Sequence, residues 1–124
     1  MIGTTFLMRQ INPVFIQADR VTSQAFKPTP KDEKMLSCFN GDRVSAEESW
    51  RFFTSQPRCS SAGVMAITKD ECEAALLPLI EDSIGHPAHV SIDFTALGTS
   101  AIVKTASVLA NHARNRGWLY QQAE

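Results

Sequence analysis

His86, His89, Ser91 and Asp93 all fall within the stretch GHPAHVSIDF (85–94), and these are residue types that move protons or attack carbonyls. Serine, histidine and aspartate are the members of a nucleophilic triad. Their spacing argues against one. Residues two apart on a strand are about 6.6–7 Å apart along the backbone, whereas a nucleophile and its base must meet within about 3.2 Å. Ser91 also stands between His89 and Asp93, and no Gly-x-Ser-x-Gly elbow occurs anywhere in the chain. A metal site is no better served. His86 and His89 are three apart, but Pro87 keeps the stretch from being a helix interior. Only Cys72, Asp82 or Asp93 could then complete a ligand set, and nothing in their spacing selects them. No metal and no cofactor are expected. General acid–base chemistry asks for less, because one histidine titrating near neutrality can serve alone. His86 and His89 are therefore the candidate catalytic residues if the chain is a small hydrolase or nuclease-like enzyme. That alternative requires a concave pocket around 85–94 and a second polar group converging from 20–38. There Lys27, Lys31 and Lys34 form a loose basic run interleaved with Asp32 and Glu33.

The element carrying these residues reads as a strand. In HVSIDF (89–94), Val90, Ile92 and Phe94 alternate with His89, Ser91 and Asp93, the period-two pattern of a half-buried strand. A strand buried on both faces would be apolar throughout, so one sheet face here is open to solvent or to a partner. Three helices are expected around it. Ser45 with Glu48, and Thr68 with Glu71, have the spacing of capping boxes. The first helix presents Ala46, Trp50 and Phe53, leaving Phe52 off the stripe and exposed. The second presents Cys72, Ala75, Leu76 and Leu79 and stays short because of Pro78. The third starts at Gly98, buries Ile102, Ala106, Leu109 and Ala113 widened by Val103 and Ala110, and ends at Gly117. Val14–Ile16, Met35–Phe39 and Ala62–Thr68 complete a set of about four strands. The expected fold is α+β: a small mixed sheet packed with three helices, one layer on another.

At 124 residues, 44% apolar and 20% charged, the chain reads as a single globular domain, 1–124. Its N-terminal part, 1–34, reads as an extended and partly mobile segment, because Pro28 and Pro30 disfavour helix. A net charge of −1 argues against nucleic acid as a partner. The glycines never form a phosphate-binding loop. No apolar run reaches membrane-spanning length, and MIGTTFLMRQ is too short and polar for a signal peptide. Cys38, Cys59 and Cys72 are an odd number at unpatterned spacing, which fits reduced thiols and a cytoplasmic location. From Asp70 to Asp93 every charged residue is acidic, which would suit a basic partner. Trp50, Phe52, Trp118 and Tyr120 are possible interface anchors.

Taken together, FKPTPKDEKMLSC (26–38), SAEESW (45–50), SAGVMAIT (61–68), HPAHVSIDF (86–94) and RGWLY (116–120) resemble small bacterial proteins associated with toxin, immunity and phage-defence modules. The resemblance implies a bacterial cytosolic protein with a partner-binding role and carries no catalytic assignment. The sequence thus leans toward a non-enzymatic protein-binding module, an immunity- or antitoxin-like subunit that masks a toxin or effector. Its contact set would be His89, Ser91 and Asp93, with Glu81 and Asp82 beside them. The hydrolase using His86 and His89 is the alternative.

Overall fold

The computed structural model describes residues 1–123. Strand β1 (Phe6–Gln10) is followed by a separate hairpin of β2 (Ile16–Gln17) and β3 (Arg20–Val21), then by β4 (Met35–Asn40) and helix α1 (Ala46–Thr54). Next come β5 (Gly63–Thr68), α2 (Lys69–Ala74), β6 (Leu79–Ile80), β7 (His89–Asp93), α3 (Thr99–Arg116) and β8 (Tyr120–Gln121). Six strands form one sheet in the order β6-β7-β4-β1-β5-β8, and every pairing in it is antiparallel. The class is α+β, as the sequence implies, but the sheet is larger than about four strands and is not mixed.

The missing strands have physical reasons. In β1, Leu7 and Met8 are both buried, because this central strand is covered on both faces. It therefore shows no clean alternation. β6 and β8 are two residues each, too short to leave a pattern. Conversely, most of the strand expected at Val14–Ile16 is a 3-10 turn, Pro13–Phe15, capped by the Asn12 side chain accepting from the Val14 N–H at 3.0 Å. Pro13 suits the first position of such a turn, since its missing N–H would be unpaired there anyway. The stretch 19–34 does not simply cross the surface. Val21, Ala25 and Phe26 are buried under α3, and Arg114 Nη1 donates to Val21 O at 2.8 Å. Pro28 and Pro30 do prevent an α-helix here, yet short 3-10 turns still fold Phe26 inward.

Both capping boxes form, Ser45 with Glu48 and Thr68 with Glu71. α3 begins at Gly98 and ends at Gly117, whose φ of 87° is the left-handed conformation glycine adopts freely. Along α1 the inward positions are Ala46, Ser49, Trp50 and Phe52, with Ser49 fully buried, while Phe53, expected on the core stripe, packs on neither core cluster. Two apolar positions differ from expectation. Val103 is 46% exposed rather than part of the α3 core stripe, and Leu76 is 83% exposed. α2 stops at Ala74, and Leu76 takes φ 60°, which turns it outward and lets Leu77 bury instead.

The sheet has two unlike faces. On one, Leu7, Leu36, Cys38, Ile67, Val90 and Ile92 pack against Ile102, Leu109 and Ala113 of α3. On the other, Met8, Val64 and Ala66 pack against Ala46 and Trp50 of α1 and against Leu119 and Tyr120. Buried hydrogen bonds fix α1 there: Gln10 Nε2 donates to Ser49 Oγ at 3.1 Å, and Ser61 Oγ donates to Gln10 Oε1 at 2.8 Å. At Gly63 a Cβ would come within 2.4 Å of Tyr120 O, so only glycine lets β8 approach β5. α1 lies over β1, β5 and β8, leaving the β4–β7–β6 half of this face without a helix.

Candidate functional site

The uncovered half-face is where β7 presents His89, Ser91 and Asp93. Across β4, Phe39 lies opposite His89 and Ser37 opposite Ser91. The segment 81–88 folds back over this surface. Ser83 N–H donates to His89 O at 3.3 Å, and Asn40 N–H donates to Ala88 O at 2.8 Å. The return places Asp82 between two side chains of β7. Its Oδ1 lies 2.5 Å from His89 Nδ1, and its Oδ2 accepts from Ser91 Oγ at 2.5 Å. Histidine, serine and an aspartate thus do meet, but the carboxylate is Asp82 and it separates the other two. Asp93 turns away and accepts from Thr95 N–H at 2.7 Å and Thr95 Oγ1 at 2.6 Å. Glu81 is exposed and lines a second depression, which it shares with His89 and Arg43, without joining the hydrogen-bonded cluster. Of the five residues singled out for partner contact, three form one hydrogen-bonded cluster and two stand apart from it. Burial alone would raise the Asp82 carboxyl. The hydrogen bonds from Ser91, His89 and the Ile84 N–H outweigh that and hold it below its ordinary value.

His86 is fixed differently. Its Nδ1 accepts from the Ala88 N–H at 3.0 Å. Its ring stands edge-on to Phe39 at 5.3 Å and to Phe52 at 4.5 Å between centroids, and Phe39 also lies 6.4 Å from His89. Phe52 is therefore a wall of the site and not an exposed anchor. Trp50 and Tyr120 likewise pack on one another, with ring centroids 5.3 Å apart. For neutral rings, the hydrogen bonds assign opposite tautomers to the two histidines. His86 accepts at Nδ1, so its proton sits on Nε2. His89 offers Nδ1–H to a carboxylate, so its Nε2 is bare. One neutral ring carries an Nε2–H donor and the other a bare Nε2.

Both rings line a cleft of about 330 Å³, whose walls include Phe39, Phe52, Ser37 and Arg9. From 20–38 the group that reaches it is Ser37; Lys34 instead donates to Leu97 O at 3.0 Å. Arg9 carried no signal in the sequence, because a single charge in FLMRQ reads as a solvated side chain. Its place follows from the register. β1 and β4 pair only at Leu7–Asn40 and Met8–Phe39. Beyond that point the strands part and the guanidinium fills the gap, Nε donating to Ala25 O at 2.8 Å and Nη1 to Ser37 O at 3.0 Å. Burial lowers its pKa, opposed in part by the nearby Asp32 carboxylate.

The two buried thiols, Cys38 and Cys72, offer no nucleophile. Burial pushes Cys38 up to about 12 and raises Cys72 as well. A second polar cluster joins α2 to α3, with Glu71 accepting from Arg116 Nη2 at 2.9 Å and lying 3.2 Å from His112 Nδ1. Both capping and ion pairing employ Glu71 there. Among the described residues no group of three or more His, Cys, Asp or Glu side chains could hold a metal ion, and no helix is long and apolar enough to cross a membrane.

Comparison with known proteins adds no outside guide to this cleft: no family model, no curated protein and no solved structure matches the chain.

Proposed function

We propose that the chain is a small hydrolase acting by general acid–base catalysis, with His89 as base and then acid and His86 as a hydrogen-bond donor to the leaving group. The observation that carries this reading is a pair of histidines on one cleft whose Nδ1 atoms face opposite partners, a backbone N–H at His86 and the Asp82 carboxylate at His89. In the proposed reaction His89 Nε2 removes a proton from water as its oxygen attacks the ester centre. Asp82 stabilises the imidazolium that forms. The His89 imidazolium then passes that proton to the leaving oxygen, whose developing charge accepts a hydrogen bond from His86 Nε2–H, and both rings end as they began. Water adds across one ester bond, giving an acid and an alcohol. Free, unpatterned thiols support a reducing compartment, and we place the enzyme in the cytoplasm. The test is hydrolysis of chromogenic carboxylic and phosphodiester substrates by the wild type and by His89→Ala, His86→Ala and Asp82→Asn. General acid–base groups contribute about 100-fold or more, so each histidine variant should lose at least that. Wild-type rates in all three variants would end the proposal.

A second reading is favoured by a different observation. Ile80 and Ile84 are exposed at the rim of the same half-face, next to the acidic Glu81. An apolar rim flanked by carboxylates suits a basic partner protein, such as a bacterial toxin or effector that this chain would mask through His89, Ser91, Asp93, Glu81 and Asp82. A partner captured by wild-type protein and by His86→Ala/His89→Ala, but lost on Ile84→Asp or Glu81→Lys, would favour masking over hydrolysis.

A further inference from the structure

Arg9 is an unusual wall for a cleft. Two of its donors are used on main-chain carbonyls, yet it makes no ion pair with a described carboxylate. Asp32 is close enough to act on it electrostatically, but that carboxylate accepts from Thr29 Oγ1 at 2.6 Å. Nη2 has no hydrogen-bond partner among the described residues. No buried side-chain nitrogen or oxygen there lacks a partner, so Nη2 must reach open space, and the open space beside Arg9 is the cleft. The guanidinium is half-buried, and its Nη2 donors, unpaired among the described residues, are free to meet an arriving anion. A guanidinium edge suits the tetrahedral oxygens of a phosphate.

The remaining walls mix polar side chains such as Gln10, Asn12 and Gln56 with four phenylalanines. Phe15, Phe39, Phe52 and Phe53 all line the cleft, and aromatic side chains hold nucleobases by stacking. A volume of about 330 Å³ lies at the small end of ligand pockets and matches one nucleotide unit rather than a peptide or a polymer groove. From these features we propose that the cleft binds a nucleoside monophosphate, or the same unit of a larger nucleotide, with its phosphate on Arg9 and its base among the phenylalanines. The proposal deepens the hydrolase reading and rests on it for any chemistry after binding. His86 and His89 would then work on an ester of that phosphate. No glycine-rich loop is needed, because a side-chain fork replaces the backbone cradle.

The test measures binding apart from turnover. Wild-type protein is titrated calorimetrically with 5′-AMP, adenosine, ribose 5-phosphate and inorganic phosphate. The Arg9 Nε–H resonance is followed by NMR in parallel. AMP should bind about tenfold or more tighter than adenosine or ribose 5-phosphate, and phosphate-bearing probes alone should shift the Arg9 signal. Phe53→Ala, which leaves both core clusters intact, should bring AMP down to the level of ribose 5-phosphate. Equal affinity for AMP and adenosine would overturn the proposal, as would no AMP binding at millimolar concentration. Because adenosine against AMP isolates the phosphate contribution, no substitution at the structurally placed Arg9 is required. AMP binding with histidine-independent hydrolysis would sink only the hydrolase reading. Histidine-dependent hydrolysis without AMP binding would sink only this one.

Discussion

The two faces of the sheet solve opposite problems. The face under α3 is closed along its length, and its strands contribute Leu7, Leu36, Cys38, Ile67, Val90 and Ile92 with hardly a polar atom among them. The opposite face is closed over only half its width. Beyond α1 its floor is Ser37, Ser91 and His89, roofed by a short loop through Asp82. The first face holds the fold by burial, which is non-directional and proportional to area. The second holds position through a few directed bonds, which give little net stability but fix where each atom points. A chain of this size can keep a polar half-face because the other one and a half are apolar.

That contrast can be broken most forcefully on the closed face. Ile67→Ala or Leu109→Ala, both fully buried, should each cost about 2–5 kcal/mol in urea unfolding, from lost transfer energy plus the cavity. Asp82→Ala should cost less, about 1–3 kcal/mol, because it leaves the buried Ser91 hydroxyl without its acceptor. Its larger effect should be on the cleft, where His89 loses the partner that sets its tautomer. Acid sharpens the same distinction. The folded Asp82 carboxyl titrates below its unfolded value, so its contribution is present above the unfolded value of about 3.9 and lost as pH falls through the folded one. Amide exchange at Ser83 and Ile84 should therefore rise below about pH 4 before the α3 face yields. The smallest effect is expected at the rim. Ile84→Lys, at a position 68% exposed, should leave stability within about 0.5 kcal/mol.

The closed face is the more legible of the two in the sequence. Alternation in HVSIDF points Val90, Ile92 and Phe94 inward, and all three are buried. Helical spacing finds Ile102, Ala106, Leu109 and Ala113, because periodic burial leaves a periodic trace. The paired capping signals are equally local and both form. Features that depend on the far side of the chain leave no such trace. Phe6–Gln10 cannot be read as the central strand, since being covered from both sides erases the alternation. The site shows the same limit. Strand geometry correctly bars His89, Ser91 and Asp93 from forming a triad, and Glu81 and Asp82 belong to the contact set expected beside them. That Asp82 reaches back over β7 depends on how the 81–88 loop folds, and no residue type announces that. Arg9 depends on where two strands stop pairing, which is a property of the assembled sheet alone.

One consequence of the short outer strands concerns how copies of the chain meet. β6 and β8 are two residues each. The longer β7 behind β6 is occupied past its ends, because Asp93 N–H donates to Pro78 O at 2.9 Å and His89 O accepts from Ser83 N–H. A neighbouring molecule therefore finds only a few unpaired rungs at either margin, too little template for sheets to join edge to edge. Crowding such molecules together should leave them as separate particles, and fibril growth would have to begin by unfolding.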